Sequence, residues 1–300
     1  MNLKINHKMM KMRDDYYHSF QALRNITMML RFRYFAFSNR DKDIVTEKET
    51  DEGIKKTITR IHLNRYNRGH HHLEFMKTYD RFKFKEIQHL RLYTCLSTLK
   101  TSFPVLKRSG EERTIAKEKI LETLPKYVTG YDFAWDFDAK LISIKNLRDE
   151  ILEFIKFFDE YNVSYSVKFS GKRGFHVRIP ADFLHPILQK DYKRIIKITK
   201  KIALYHNTLH IDTFGNDLSK LLKLEYSIDG KCPSFYVVLP LTLSQLKNFD
   251  FDFVSLPYVI KNIKLIDKNN ELRGYCMHNF KDIETQHENS LKMVEDIEEW

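Results

Sequence analysis

Ser170-Gly171-Lys172-Arg173-Gly174-Phe175-His176 reads as a tight basic turn held between two strands. Before it, Val163, Tyr165, Val167 and Phe169 alternate with Ser164, Ser166, Lys168 and Ser170; after it, Phe175, Val177 and Ile179 alternate with His176 and Arg178. Successive side chains on a strand leave opposite faces, so period-two alternation on both arms of a glycine turn predicts a β-hairpin. One face of the hairpin is apolar. The other, a working face, carries Ser170, His176 and Arg178, with Lys172 and Arg173 at its rim. A serine, a Lys-Arg pair and a histidine beside exposed backbone N–H groups suit a triphosphate or a nucleic-acid backbone.

About 30 residues upstream lies a second strand pattern, Tyr131-Asp132-Phe133-Ala134-Trp135-Asp136-Phe137-Asp138. Asp136 and Asp138 are two apart and leave one face together, while Trp135 and Phe137 leave the other. Two carboxylates that close repel each other and call for a counter-charge. Hard divalent cations, Mg²⁺ or Mn²⁺, take oxygen ligands and meet that need. A solvated strand edge would also carry two acidic residues, but the Phe and Trp flanks predict a half-buried strand.

Three hundred residues are enough for a large domain or two lobes with a full core. The formal net charge of +11 and a pI near 9.3 select a polyanionic partner as a class. With 22 Phe and 16 Tyr the chain is not a disordered tail, and most of those rings must be core. Cys95, Cys232 and Cys276 are odd in number and far apart, which favours a reducing compartment without a disulfide framework. No run of 18 apolar residues occurs, and Lys4, Lys8, Lys11 and Arg13 have no apolar stretch behind them. The expectation is an intracellular protein of the cytoplasm or nucleoid, with no membrane partner.

Taken in order, residues 14–30 carry helical periodicity and 31–37 alternate like a strand. Residues 39–54 read as a polar loop or excursion, and 57–66 are rich in β-formers and basic residues. Helices are predicted at about 84–101 and 112–124. From Tyr131 the pattern becomes regular: a strand at 131–138, a helix at 144–160, the hairpin strands at 163–170 and 174–179, a helix at 186–206 and a short strand at 209–213. That order is β-α-β-β-α-β, the ferredoxin-like unit, in which the first strand lies between the fourth and the third. His210 and Asp212 share a face by alternation, so three carboxylates and a cationic turn are expected on one sheet surface. Residues 217–223 read as a short helical or turn segment, and 235–239 as one more strand. The tail 281–300 holds seven acidic residues against two lysines, with a helical apolar stripe at Leu291, Val294, Ile297 and Trp300. It is expected to pack back on the basic part of the chain. The fold class is therefore α+β, a ferredoxin/RRM-like βαββαβ core with a mixed N-terminal lobe and a C-terminal helical tail. The expected division is 1–130, 131–240 and 241–300.

These residues resemble the archaeo-eukaryotic primase superfamily, near the small catalytic subunit of DNA primase. The family's paired-aspartate motif is matched by Asp136-Phe137-Asp138. Its Ser-Gly-x-x-Gly-x-His motif is matched without gaps by Ser170 to His176. Its third motif, an Asp followed by Leu-(Leu/Ile)-(Lys/Arg)-x-x-x-Ser, is matched by Asp212 and then Leu221-Leu222-Lys223-Leu224-Glu225-Tyr226-Ser227. Arg33-Tyr34-Phe35-Ala36-Phe37 resembles the family's Arg-Glu-Phe-x-Phe strand. The likeness covers 131–240 and leaves the first 130 residues largely unmatched. Only 31 residues separate Asp138 from Ser170 and none is Cys or His, so the zinc module of many small subunits is not expected. Asp229 stands where the family has a His, and a Pro often found before the motif-three Ser is missing. A divergent plasmid- or virus-type primase would carry such losses.

The resemblance implies template-dependent nucleotidyl transfer with two divalent ions held by Asp136, Asp138 and Asp212. It implies nucleotide binding by Ser170, Lys172, Arg173, His176, Lys223 and Ser227. The 1–130 lobe would contact a single-stranded DNA template. Nucleoside triphosphates are the expected substrates, and a primase large subunit or a helicase is a candidate partner. The rival reading is a non-catalytic, RRM-like single-stranded nucleic-acid-binding protein: Arg173-Gly174-Phe175 opens the RRM pattern, but His176 and Val177 break it. In that reading Asp136 and Asp138 would face and repel the RNA. His70-His71-His72 could suggest a metal site, yet consecutive strand residues point to opposite faces and chelate poorly.

Overall fold

A computed structural model of the chain describes residues 7–30, 33, 35–39, 44–50, 53–59, 90–99, 124–206, 210–211, 220–229, 235–268 and 277–300. Two helices open it, His7–His18 (α1) and Phe20–Met29 (α2). The helix expected over 14–30 is interrupted at Ser19, whose hydroxyl accepts the Ala22 N–H and caps α2. Strands follow at Phe35–Asn39 (β1), Ile44–Thr50 (β2), Gly53–Thr59 (β3), Leu90–Cys95 (β4), Ser97–Leu99 (β5), Val128–Tyr131 (β6) and Phe133–Asp138 (β7). Next come helices Ile144–Phe154 (α3) and Lys156–Glu160 (α4), then the hairpin strands Tyr165–Phe169 (β8) and Gly174–Ile179 (β9). Helices Pro186–Lys190 (α5) and Tyr192–Tyr205 (α6) replace the single helix expected there, because Asp191 leaves the helical conformation and caps α6 through the Arg194 N–H.

Short strands Leu221–Lys223 (β10), Ile228–Asp229 (β11), Tyr236–Val237 (β12) and Pro240–Leu241 (β13) precede helices Leu243–Lys247 (α7) and Leu256–Lys268 (α8). Strand Met277–His278 (β14) and helix Ile283–Glu299 (α9) end the chain. The architecture is α+β.

Two sheets position the candidate site. In the larger, β13, β8, β9 and β7 lie side by side, antiparallel throughout, and β14 continues the outer edge of β8. Beyond β7, Ile211 is bridged antiparallel to Phe137, and the Asp138 N–H donates to the His210 carbonyl at 3.1 Å. The smaller sheet has the order β1-β4-β10. The alternation in the sequence is realised: Phe133, Trp135 and Phe137 of β7, Phe175, Val177 and Ile179 of β9, and Tyr165, Val167 and Phe169 of β8 are all buried. On that apolar side Trp135 stacks parallel to Phe133 at 5.8 Å and meets Phe154 of α3 edge-on at 5.3 Å. Its indole N–H is satisfied by the Thr199 carbonyl of α6 at 3.0 Å.

Three local expectations are corrected. Residues 90–99 are strands, not part of a helix over 84–101. Leu92, Tyr93 and Thr94 are consecutive and all buried, which a strand covered on both faces allows and a one-sided helix does not. Leu90, Tyr93, Leu96 and Leu99 only imitated a helical stripe. The polar excursion over 39–54 contains β2, which pairs antiparallel with β3 from Ile44 opposite Thr59 to Thr50 opposite Gly53. Finally, 221–223 is not helical but the edge strand β10. The helix expected over 112–124 falls, up to Leu124, outside the described residues, as do His70-His71-His72 and Asp212.

The acidic helix α9 lies against α6: Arg194 grips Glu298 through Nε at 2.9 Å and Nη2 at 2.6 Å, and Lys201 Nζ donates to the Ile297 carbonyl at 2.6 Å. No helix among the described residues is long and apolar enough to cross a membrane.

The hairpin turn depends on its two glycines for different reasons. Gly171 has φ +86, in the left-handed region, and a Cβ there would meet Val238 Cγ2 at 2.9 Å and Asp229 Cβ at 3.0 Å. Gly174 admits no side chain because a Cβ would run into the Phe137 carbonyl oxygen of the neighbouring strand. Replacement of Gly174 by Ala is expected to lower unfolding free energy by about 1–3 kcal/mol or more, the scale of overpacking. A denaturant titration with unchanged midpoint would contradict the close approach of β9 to β7.

Candidate active site

The polar side of the larger sheet divides into a buried half and an open half. At the buried end a chain of charges crosses from the smaller sheet to the larger. Arg33, just before β1, donates from Nη1 to the Leu96 carbonyl at 2.9 Å and from Nη2 to Asp132 Oδ1 at 2.8 Å. Asp132, between β6 and β7, also accepts the Ala181 N–H at 2.7 Å and Arg178 Nε at 2.6 Å. Arg178 of β9 reaches Glu225 Oε1 with Nη1 at 2.9 Å, and Lys168 of β8 reaches the same oxygen at 2.6 Å and the Lys223 carbonyl at 2.7 Å. None of Arg33, Asp132, Arg178, Glu225 and Lys168 is more than 4% exposed. Burial draws the Lys168 ammonium down to about 8, with the neighbouring Glu225 opposing and Arg178 adding to the effect.

Next along the face, Asp136 of β7 lies opposite His176 of β9, which lies opposite Lys168 of β8. His176 is buried, and its Nε2 stands 3.3 Å from Asp136 Oδ1. Burial pushes the His176 imidazole below its ordinary value, against the pull of Asp136, so at neutral pH the ring is neutral. It donates Nε2–H to the carboxylate. Its Nδ1 is buried with no hydrogen-bond partner among the described residues. Burial of Asp136 favours its neutral acid, but the hydrogen bond and field of His176 and the nearby Lys220 and Lys223 ammoniums outweigh it and hold the group at about 2.

The open end is formed by Asp138 and the 170–174 turn. Asp136 and Asp138 are 31% and 32% exposed, the point at which the sheet surface meets solvent. The Arg173 guanidinium lies on Asp138, Nε to Oδ1 at 2.7 Å and Nη2 to Oδ2 at 3.4 Å. The Arg173 carbonyl accepts the Ala139 N–H at 3.0 Å, and the Ser170 N–H donates to the Gly174 carbonyl at 2.8 Å. Lys223, at the end of β10, donates to the Ser170 carbonyl at 2.6 Å and pairs with Asp229 at 2.5 Å. Behind it, Tyr16 donates to the Tyr226 carbonyl at 2.9 Å and the Ile228 N–H donates to the Tyr17 hydroxyl at 2.8 Å, so α1 secures the 226–228 loop.

Asp136, Asp138, Ser170, Lys172, Arg173, His176 and Lys223 thus gather around one end of the sheet. Ser227 does not open onto it: the side chain is buried and its hydroxyl donates to the Leu224 carbonyl at 2.6 Å. Ser170 is also buried. Asp212, the third expected carboxylate, lies outside the described residues, though Ile211 before it is bridged to β7. Among the described residues no three His, Cys, Asp or Glu side chains could hold a metal ion together. The two carboxylates on β7 nevertheless suit a hard divalent cation: both are oxygen donors, both reach solvent, and Asp136 is ionised across the physiological range.

Sequence reasoning missed Arg33, Asp132 and Glu225 as parts of the polar layer. A signal existed for Asp132, a carboxylate embedded in the run Tyr131-Asp132-Phe133, because burial of a charge demands a partner.

No protein-family model matches the chain, and no curated protein matches it. Among solved structures, the chain is similar to the polymerase domain from Mycobacterium tuberculosis Ligase D in complex with DNA, at 12% identity and a TM-score of 0.45. That likeness covers 86% of this chain and 91% of the other. A score so low, at that identity, assigns neither fold nor activity.

The buried network makes stability pH-dependent. Burial of Glu225 favours its neutral acid, but Lys168 and Arg178 outweigh it and hold the carboxyl at about 2, below its ordinary 4.5. Its stabilisation is therefore complete above pH 4.5 and is lost as pH falls toward 2. Glu225→Gln is expected to be destabilised at pH 7 by about 3 kcal/mol and to lose less stability than wild type between pH 4.5 and 2. Parallel acid titrations of the two proteins, followed by denaturant midpoints, would count against the network.

Proposed function

We propose that the chain is a template-dependent nucleotidyl transferase of the DNA primase or primase-polymerase type, acting on single-stranded DNA. The observation that carries this is a pair of carboxylates, Asp136 and Asp138, set two apart on β7 at the open end of a polar layer, against a cationic turn braced from behind. The sheet order, with Ile211 beyond β7 and β9 between β7 and β8, supports the ferredoxin-like reading of 131–240. In this proposal 1–130 is the template-contacting lobe and 241–300 an extension on the core.

Asp136 and Asp138, with Asp212 as the third ligand, would hold two Mg²⁺ or Mn²⁺ ions. When bound, such ions supply Lewis-acid activation of an attacking hydroxyl and charge neutralisation at a leaving pyrophosphate. His176 fixes one oxygen of Asp136 through its Nε2–H, and so orients the carboxylate toward the open side. Lys172 and Arg173 at the rim would bind the β- and γ-phosphates of a nucleoside triphosphate, with turn N–H groups adding hydrogen bonds. Lys223 contributes by holding the turn through the Ser170 carbonyl, and Ser227 by closing the loop beneath it. A single strand would be held largely by its phosphates, without sequence preference. A large-subunit or helicase partner belongs to the same reading.

The binding-module alternative needs an open sheet face with aromatic side chains for base stacking. Here Lys168, His176 and Arg178 occupy that face and are buried. That disfavours it.

Incubation with a single-stranded template, Mg²⁺ or Mn²⁺ and each nucleotide set, with and without a primer, should give metal-dependent incorporation. Asp136→Asn and Asp138→Asn should each lower it at least about 100-fold while leaving the protein folded at the assay temperature and its DNA affinity near wild type. Full incorporation by both variants would remove the carboxylate assignment. Arg173→Ala should raise the nucleotide KM more than it weakens template binding; equal effects would argue against a triphosphate role.

A further inference from the structure

Two cations flank the turn and are held in opposite ways. Lys223 is largely enclosed and bound to the wholly buried Asp229 and to the Ser170 carbonyl, so it is a fixed brace. Arg173 is 44% exposed and lies across both oxygens of Asp138, with Lys140 Nζ 3.8 Å from Oδ2. Those are the oxygens that a divalent ion would take. A guanidinium seated on both and a metal ion compete for the same lone pairs.

We propose that Arg173 is a displaceable latch on Asp138: a divalent cation takes its place on the carboxylate, and the released guanidinium turns to the triphosphate. Metal and nucleotide then bind with positive cooperativity through one side chain. The proposal rests on the reading of Asp138 as a metal ligand. An exposed ion pair is weak, so the latch opens at little cost, and its removal changes metal affinity by roughly 2- to 5-fold. The coupling is reciprocal: if the metal frees Arg173 for the nucleotide, the nucleotide in turn favours the metal. The neighbouring Lys172 gives the control, since it carries the same charge and no ion pair with Asp138 among the described residues.

The test is Mn²⁺ binding to the full chain without nucleotide, read by electron paramagnetic resonance, followed by binding of a non-hydrolysable triphosphate analogue with and without saturating Mn²⁺. Arg173→Gln should bind Mn²⁺ about 2- to 5-fold more tightly than wild type, the size of an exposed ion pair. Lys172→Gln should change it less, and Asp138→Asn should weaken it. The gain in analogue affinity on adding Mn²⁺ should be smaller in Arg173→Gln than in wild type. If Arg173→Gln binds Mn²⁺ no more tightly than wild type, or if Lys172→Gln tightens it equally, the latch is overturned and the transferase reading stands. If wild type binds no Mn²⁺, or Asp138→Asn binds it as wild type does, both fall together.

Discussion

The Arg178 guanidinium, enclosed between the Asp132 and Glu225 carboxylates, is the contact on which the site depends. An arginine is never neutralised in a protein interior, so a buried one dictates that carboxylates come to it. Asp132 comes from the β6–β7 junction and Glu225 from just beyond β10. Asp132 in turn holds Arg33 and the Ala181 N–H, and Glu225 holds Lys168. Segments far apart in the chain are thereby fixed to one another beneath the open end of the sheet. Removal of one partner would leave a charge buried without compensation, which costs far more than the intact pair contributes.

The network also carries charge up to the edge of the open end. Three cations, Arg33, Arg178 and Lys168, face two anions, Asp132 and Glu225. The excess positive charge lies next to His176 and Asp136 along the same face. Burial keeps the His176 imidazole neutral, with Lys168 and Lys223 adding to the effect, and the ring serves as a hydrogen-bond donor. Against its burial, Asp136 is held ionised by the hydrogen bond and field of His176 and by Lys220 and Lys223. Under the proposed reading, a carboxylate kept ionised and oriented, with a solvent-facing neighbour two residues on, is what a hard cation needs.

Much of this was legible in the sequence, for a physical reason. Strand alternation is local, so Phe133-Trp135-Phe137 and Phe175-Val177-Ile179 declared their apolar faces, and the glycine turn between β8 and β9 declared itself. The strands at 90–99 were illegible because both faces are covered, and burial of successive residues erases any period. The break at Asp191 was signalled by a capping residue inside an apolar stripe, but helical periodicity resumes beyond it in nearly the same phase.

The polar face exposes a deeper limit. Alternation reports that Lys168, Ser170, His176 and Arg178 share a side; it does not report what lies on top of them. Glu225 is 57 residues from Lys168, and Asp132 is 46 from Arg178, so the covering is a property of the assembled chain alone. A row read as a uniform working face is therefore graded, from Arg178 sealed in the interior to Arg173 in solvent. The same grading separates Arg173 from Lys223, which the sequence offers as equivalent phosphate ligands. Lys223 faces the buried Asp229, and its charge is spent within the protein on the shape of the turn. Arg173 faces the half-exposed Asp138, and its charge stays within reach of an incoming anion. Burial of the partner carboxylate, rather than the identity of the cation, decides which positive charge builds the site and which can act in it.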